Sequence, residues 1–191
     1  MIDEIECHRY LYKFLKGTIT LSELEQWLYN HEELEEILGK SVYFELISRD
    51  YKNKYALEDT KKQIKGLINI GFFEQERIIN SLEKLIDTSE GYLENLEALY
   101  DDYCDGYTFL RYIALVYITT SDEYIEVLKQ DKVKLKDYSE KINKEANRIL
   151  RFFANNELRI VIENEYIDIR ELGDRIELHD INEMLAERSD C

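Results

Sequence analysis

The sequence predicts a mostly α-helical protein of the α+β class. We expect a multi-helix bundle around a central apolar helix, with a small C-terminal antiparallel β-hairpin or three-stranded sheet. Residues 107–118 are apolar on nearly every side, which is typical of a helix buried among other helices. The chain has no proline and seven glycines, so long helices meet few breakers. Residues 158–170 change to an alternating, β-branched pattern that favours strands.

A chain of 191 residues, 45% of them hydrophobic, is long enough for one sizeable core. The sequence contains no internal repeat and no Gly/Ser-rich linker. We therefore predict a single domain over residues 1–191. It would have a helical body at 1–155, with the β-hairpin and a terminal helix at 156–191 packed on it.

Three capping boxes predict where helices begin. Thr20 with Glu23, and Asn30 with Glu33, each match the Ser/Thr/Asn-x-x-Glu pattern that satisfies free N–H groups at a helix start. Gly39 would end the second of these helices. A third box, Thr120 with Glu123, would open a helix after the central one. Apolar periodicity predicts further helices at residues 2–16 (ended by Gly17), 41–47, 56–68 (ended by Gly71), 72–87, 92–103 and 138–154.

The last 34 residues predict strands and one helix. Residues 158–163 and 166–170 would form the hairpin, with Asn164 and Glu165 between them. Residues 175–178 would add a third short strand. Asp180 can cap a last helix at 181–187.

The formal net charge is −16, and acid is concentrated in residues 1–50 and in the last 41 residues. A field of this sign repels phosphate backbones and anionic membranes, so the sequence predicts neither nucleic-acid nor membrane binding. It would attract a basic protein partner and accelerate their encounter. The alternative is that the charge only keeps the protein soluble.

The cysteines indicate a reducing compartment. Cys7, Cys104 and Cys191 lie far apart and form no CxxC pair. The N-terminus has acids where a signal peptide would have bases, and no apolar run approaches the ~20 residues of a membrane span. We expect a cytoplasmic protein.

No motif predicts catalysis, a metal or a cofactor. The chain lacks a P-loop, GxGxxG, GxSxG and HExxH. The pairs His31/Glu35 and His179/Glu183 have helical spacing but no further ligands nearby, so solvated helix pairs explain them better. An enzyme that uses Asp101, Asp105 or a histidine remains an alternative.

Two acidic-aromatic clusters are the candidate partner-binding residues. Carboxylates beside aromatic rings form an acceptor surface for Arg and Lys. A solvated helix end, with acids stabilising the helix dipole, is the competing interpretation. The candidates are Trp27, Tyr29, Glu32, Glu33 and Glu36 in the first cluster, and Asp101, Asp102, Tyr103 and Asp105 in the second.

Residues 14–51, with ELEEILG followed by YFELISRDY, resemble the opening of small acidic bacterial proteins encoded beside secreted polymorphic toxins. These are immunity proteins, and the resemblance covers about a fifth of the chain. It implies a cytoplasmic, non-catalytic protein that binds one cognate toxin domain, often a basic nuclease, and occludes its active site. The alternative is a helical scaffolding or regulatory domain that binds a cellular protein, as a homodimer through the C-terminal hairpin.

Overall fold

The structure is a computed structural model that describes residues 2–88 and 91–176. Ten α-helices and one antiparallel pair of strands lie in these residues, which confirms the mostly α, α+β prediction. The helices are α1 (Glu4–Leu15), α2 (Leu21–Asn30), α3 (Leu34–Leu38), α4 (Lys40–Ile47), α5 (Ala56–Lys65), α6 (Ile70–Ile86), α7 (Tyr92–Cys104), α8 (Arg111–Ile118), α9 (Asp122–Gln130) and α10 (Lys132–Ala154). The strands are β1 (Leu158–Ile162) and β2 (Glu165–Asp168).

The chain divides into two compact units, Met1–Phe73 and Glu74–Cys191. Each unit has its own cluster of buried apolar side chains. The division falls within α6, where helical periodicity continues and no linker composition marks it. The sequence therefore offered no signal for this boundary.

The first unit is built from short helices, of which α1 and α2 begin with capping boxes. The Thr20–Glu23 capping box is confirmed: Glu23 N–H donates to Thr20 Oγ1 at 3.2 Å, and Thr20 N–H donates to Glu23 Oε2 at 2.7 Å. The predicted Asn30–Glu33 box is wrong, because Asn30 is the last residue of α2 and Glu33 precedes α3 without a side-chain cap bond. Gly39 ends α3 with φ +82°, as predicted.

Two further predictions in this unit need correction. Gly71 does not end a helix but lies in the first turn of α6. The break comes earlier, at Gly66, and Asn69 Oδ1 then accepts the Phe72 N–H at 3.1 Å to start α6. Helix α4 forms as predicted. Helical spacing would also place Tyr43, Phe44 and Ile47 on one face, but Tyr43 is buried whereas Phe44 is 66% exposed.

The second unit contains the predicted central helix. Gly106, with φ +123°, leads into a 3-10 turn at Thr108–Leu110, and α8 follows and packs against α7 and α10. The helix is not buried on every side, because Ile118 is 53% exposed. Two predicted helix starts were wrong: Ser121, not Thr120, caps α9, and Asp131 caps α10 well before residue 138.

The β-hairpin is confirmed. Strands β1 and β2 pair antiparallel through Arg159–Ile167 and Ile160–Tyr166, with Asn164 at φ +64° in the turn. The predicted third strand is not seen in residues 175–176, which follow the 3-10 turn Leu172–Asp174; residues 177–178 and the predicted helix 181–187 lie outside the described residues. Within the described part of the chain, no helix combines the length and apolarity needed to span a bilayer.

Candidate protein-binding groove

Helices α7 and α9 border a groove with acidic walls. Leu93, Leu96 and Leu99 fix one face of α7 in the core, and the opposite face carries Glu94 and Glu97. Helix α9 adds Asp122 and Glu126 at i,i+4 spacing. A cavity of about 250 Å³ lies between them. We call it the anionic groove; it is lined by Leu93, Glu94, Glu97, Tyr117, Asp122, Ile125, Glu126 and Lys129.

The raised pKa of Tyr117 indicates that several of these carboxylates lie close enough to act on the same side chain. Its pKa is raised above the usual value first by burial, then by the charge of Glu97 and a hydrogen bond to it. The charges of Asp101 and Asp122 raise it further. Asp101 therefore lies close enough to extend the field beyond the lining residues.

Among the described residues that line the groove, Lys129 is the single cationic side chain. Its Nζ lies 2.6 Å from Glu126 Oε1. The pKa of Lys129 is raised by its hydrogen bond to Glu126 and by the charges of Glu126, Glu94 and Glu97. One lysine cannot neutralise four carboxylates, so the groove keeps a net negative charge.

Aromatic rings lie beside the acids. Tyr100 and Tyr117 are both partly exposed, and their ring centroids are 5.5 Å apart with the planes at 44°. The pKa of Tyr100 is raised first by a hydrogen bond with Cys104 and also by the charge of Asp101. An apolar ring with a polar tip, next to a carboxylate, suits contact with a long cationic side chain.

The predicted residues of the second cluster are in different environments. Asp101 and Asp105 are exposed, and Tyr103 is half-buried against the core of the unit. Asp102 is 7% exposed, and its two carboxylate oxygens accept from Arg77 at 2.7 and 2.9 Å. Because this ion pair occupies the Asp102 carboxylate, we do not include Asp102 in a binding surface.

Arg77 belongs to a buried polar network that joins α6 to α7. Its Nε and Nη2 donate to Glu74 Oε2 at 3.1 and 2.8 Å, in addition to the bonds to Asp102. Glu74 is fully buried, and the Tyr107 hydroxyl donates to it at 3.4 Å. The same hydroxyl accepts the Asn164 N–H at 3.0 Å. Burial would lower the pKa of Arg77, but the bonds and charges of Asp102 and Glu74 raise it well above its usual value.

The predicted residues of the first cluster also differ in environment. The ring of Trp27 stacks on Tyr10, with centroids 4.1 Å apart, and is not a freely exposed anchor. Tyr29 is 55% exposed, although its hydroxyl donates to the Ile47 carbonyl at 2.8 Å.

The three glutamates of this cluster differ in exposure. Glu32 and Glu36 are exposed and Glu33 is half-buried. Burial raises the pKa of Tyr43, and the negative charges of Glu32, Glu35 and Glu33 raise it further. These three acids therefore act on the same tyrosine hydroxyl.

Most of the anionic groove was missed by sequence reasoning. The missed residues are Glu94, Glu97, Tyr117, Asp122 and Glu126. Their signal was the i,i+3 and i,i+4 spacing of acids on the polar faces of α7 and α9. That spacing gives two separate acidic faces, and it carries no information about which faces meet in the fold.

No group of three or more His, Cys, Asp or Glu side chains in residues 2–88 and 91–176 is placed to hold a metal ion. Comparisons with protein-family models, with curated proteins and with solved structures found no match for this chain. The resemblance of residues 14–51 to immunity proteins therefore stays a prediction.

Proposed function

We propose that this protein is a non-catalytic binding protein that presents the anionic groove to a basic partner protein. The observation that carries the proposal is the convergence of Glu94, Glu97, Asp122 and Glu126 on one groove with Lys129 as its lining cation. Arginine and lysine side chains of a partner would pair with these carboxylates. Tyr117 supplies an adjacent ring for their alkyl stems.

The energetics favour specificity and fast encounter over affinity from charge alone. Exposed ion pairs contribute about 0.2–1 kcal/mol each, so four such pairs cannot hold a complex tightly by themselves. Burial of Tyr100 and Tyr117 by the partner would exclude water and add apolar contact. The net charge of −16 would raise the rate of association with a cationic surface.

The partner class that we propose is a toxin domain, which makes this chain an immunity protein. The resemblance of residues 14–51 supports that choice, and the acidic character of the chain suits a basic enzyme such as a nuclease. Occlusion of the active site of that enzyme would then be the mechanism of neutralisation. The chain itself would transform no substrate.

The test is binding to the protein encoded by the adjacent reading frame, measured by calorimetry. The groove variant is Glu97→Gln with Asp122→Asn. Its matched control is Asp137→Asn with Glu171→Gln, which removes the same charge from exposed positions that do not line the groove. We expect about two- to thirtyfold weaker binding for the groove variant, because two exposed ion pairs together contribute about 0.4–2 kcal/mol.

Equal weakening by the two double variants would contradict a role for the groove, since total charge alone would then explain binding. A neighbouring gene product that is neither toxic nor bound would contradict the immunity assignment. Inhibition of the activity of the toxin by the wild type, lost in the groove variant, would support both parts.

One observation favours the alternative of a homodimer formed through the hairpin. The outer face of the two strands and the residue that follows them carries Val161, Ile167 and Ile169, which are 44%, 40% and 67% exposed. Apolar residues on an exposed strand face can pack against a second copy. Light scattering at increasing protein concentration tests this, with Ile169→Lys expected to keep the chain monomeric.

A further inference from the structure

A larger cavity adjoins the anionic groove in the unit of residues 74–191. Its volume is about 750 Å³, and its described lining comes from α7, α9, α10 and the residues just after α6. Leu93, Glu94 and Lys129 line both this cavity and the groove. The two spaces therefore lie side by side, and a chain segment bound in the groove reaches the cavity.

Three leucines from three helices line this space, and we call it the leucine cavity. Leu93 belongs to α7, Leu128 to α9 and Leu135 to α10. Leu93 and Leu128 are 8% and 1% exposed and are part of the core of the unit, whereas Leu135 is half-buried and packs against that core. Because core packing fixes the leucines, their apolar surface is in place before a partner binds, and covering it removes that surface from water.

Two hydroxyl groups that line the leucine cavity already have hydrogen-bond partners. The Tyr92 hydroxyl donates to Asn143 Oδ1 at 3.3 Å, and Asn143 Nδ2 donates to Thr88 Oγ1 at 3.3 Å. Thr88 Oγ1 also lies 3.4 Å from Ser139 Oγ. A polar group that entered the cavity would have to displace these bonds, whereas an apolar group would pack on the leucines without breaking any of them.

We propose that the leucine cavity receives a large apolar side chain of the basic partner, next to a lysine or arginine that pairs with the carboxylates of the anionic groove. This inference rests on the proposed function, because it specifies the partner segment that the groove would bind. Exposed ion pairs contribute little affinity each, whereas a few buried apolar anchors supply most of the affinity of an interface. The leucine cavity offers the apolar contact that the groove charges do not provide.

The spacing along α7 fixes how close the two partner residues must be. Glu94 lines both spaces, and Glu97 lines the groove three positions further along the helix. Three residues of a helix rise by about 4.5 Å. A basic side chain at Glu97 and an apolar side chain at Leu93 would therefore come from neighbouring positions of an extended segment, or from i,i+3 or i,i+4 positions of a partner helix.

The sign of charge on an apolar probe distinguishes this inference from binding governed by lysines. Lys132 and Lys136 also line the leucine cavity, at i,i+4 spacing on α10, and both are exposed. An apolar anion would gain from these lysines. A cation with the same apolar body would gain from the groove carboxylates instead.

The probes are 4-phenylbutylamine, which is a cation at pH 7, and 4-phenylbutyrate, which is an anion of the same length. Each is titrated to about 10 mM into the full chain labelled with carbon-13 at its leucine methyl groups and followed by NMR. We expect saturable shifts of the Leu135 methyl signals, which Leu135→Met assigns by deletion. The amine should bind at least about threefold more tightly than the butyrate, because the groove carboxylates attract its charge.

Binding of the protein encoded by the adjacent reading frame gives the second readout. Leu135→Trp keeps the position apolar but fills part of the cavity, and it should weaken that binding about tenfold or more. Val133→Trp, at a 70% exposed position of α10 outside the described lining, should leave the binding unchanged. Circular dichroism checks that both variants are folded.

Three results would overturn the inference: Leu135 signals that neither probe shifts, a butyrate that binds as tightly as the amine, or equal binding of the partner by Leu135→Trp and Val133→Trp. Each of these leaves the proposed function in place if Glu97→Gln with Asp122→Asn still weakens partner binding. A neighbouring gene product that does not bind the wild type would instead contradict the proposed function, and the two probes would still decide whether the leucine cavity takes an apolar group beside a cation.

Discussion

Removal of Arg77 should destabilise the protein far more than removal of an exposed arginine. Arg77→Met keeps a side chain of similar length but deletes the four hydrogen bonds to Glu74 and Asp102. Both carboxylates then remain in the interior, where the side chain of Glu74 is fully buried and that of Asp102 is 11% exposed. A buried charge without its partner cannot recover the solvation that it lost on folding.

The expected loss is about 3 kcal/mol of unfolding free energy. Loss of one partner from a buried ion pair costs about 3–5 kcal/mol. The lower end applies because 30% of the Arg77 side chain is exposed, so water can reach part of the site. For a chain of this size that corresponds to a fall in Tm of about 6–12 °C. The matched control, Arg159→Met on the exposed hairpin face, should stay within about 0.5 kcal/mol.

Urea unfolding followed by circular dichroism at 222 nm measures both variants. The data should be fitted with and without an intermediate, because each of the two units has its own core. The double variant Arg77→Met with Asp102→Asn leaves one carboxylate that has lost Arg77, where the single variant leaves two. It should therefore be less destabilised than the sum of its single variants. A cost for Arg77→Met below about 1 kcal/mol, or no difference from Arg159→Met, would refute the proposed importance of the network.

Two further predictions concern backbone conformation and thiol chemistry. Gly39→Ala should lower the free energy of unfolding in urea by about 1–2 kcal/mol, because Gly39 has φ +82°. Gly66→Ala, at φ −84°, should be neutral or slightly stabilising. Equal costs for the two variants would contradict the conformational argument. In a Cys191→Ser background, a thiol reagent at pH 8 should modify exposed Cys104 rapidly and Cys7 only on unfolding. Cys7 should react slowly because burial and then the charge of Glu4 raise its pKa to about 12. Equal rates for the two thiols would show that Cys7 is accessible.

Local signals predicted helices well where a side chain and the backbone could satisfy each other within one turn. Thr20 and Glu23 form their capping box because the backbone is extended at Thr20 and the helix begins at the next residue. Asn30 could not, since α2 continues through it, so the same pattern of residue types has no free N–H groups to cap. At Ser121 the cap moved by one residue relative to Thr120, whose hydroxyl donates back to the Val116 carbonyl instead. The choice between these outcomes depends on where the previous helix ends.

The candidate site was predicted less completely, because side-chain partners come from distant parts of the chain. Asp101 and Asp102 are adjacent acids with the same sequence context, yet one is exposed and the other pairs with Arg77, 25 positions earlier. Helical geometry separates two consecutive residues by about 100° around the axis, so one faced the core and the other faced solvent. The leucines of α7 could have identified that core face. They could not identify Arg77 as the residue whose charge and hydrogen bonds offset the cost of burying Asp102.

The response to salt tests whether the anionic groove attracts its partner by charge. The carboxylates of the anionic groove are exposed, so ions screen their attraction to a partner over about 8 Å at physiological ionic strength. Added sodium chloride should therefore slow association with a basic protein. Glu97→Gln removes one of the four groove carboxylates, so it should lower the association rate at low salt and make the dependence of that rate on salt shallower. An association rate that does not change with sodium chloride would contradict attraction by the groove, because a contact that depends on apolar burial alone is not screened by ions.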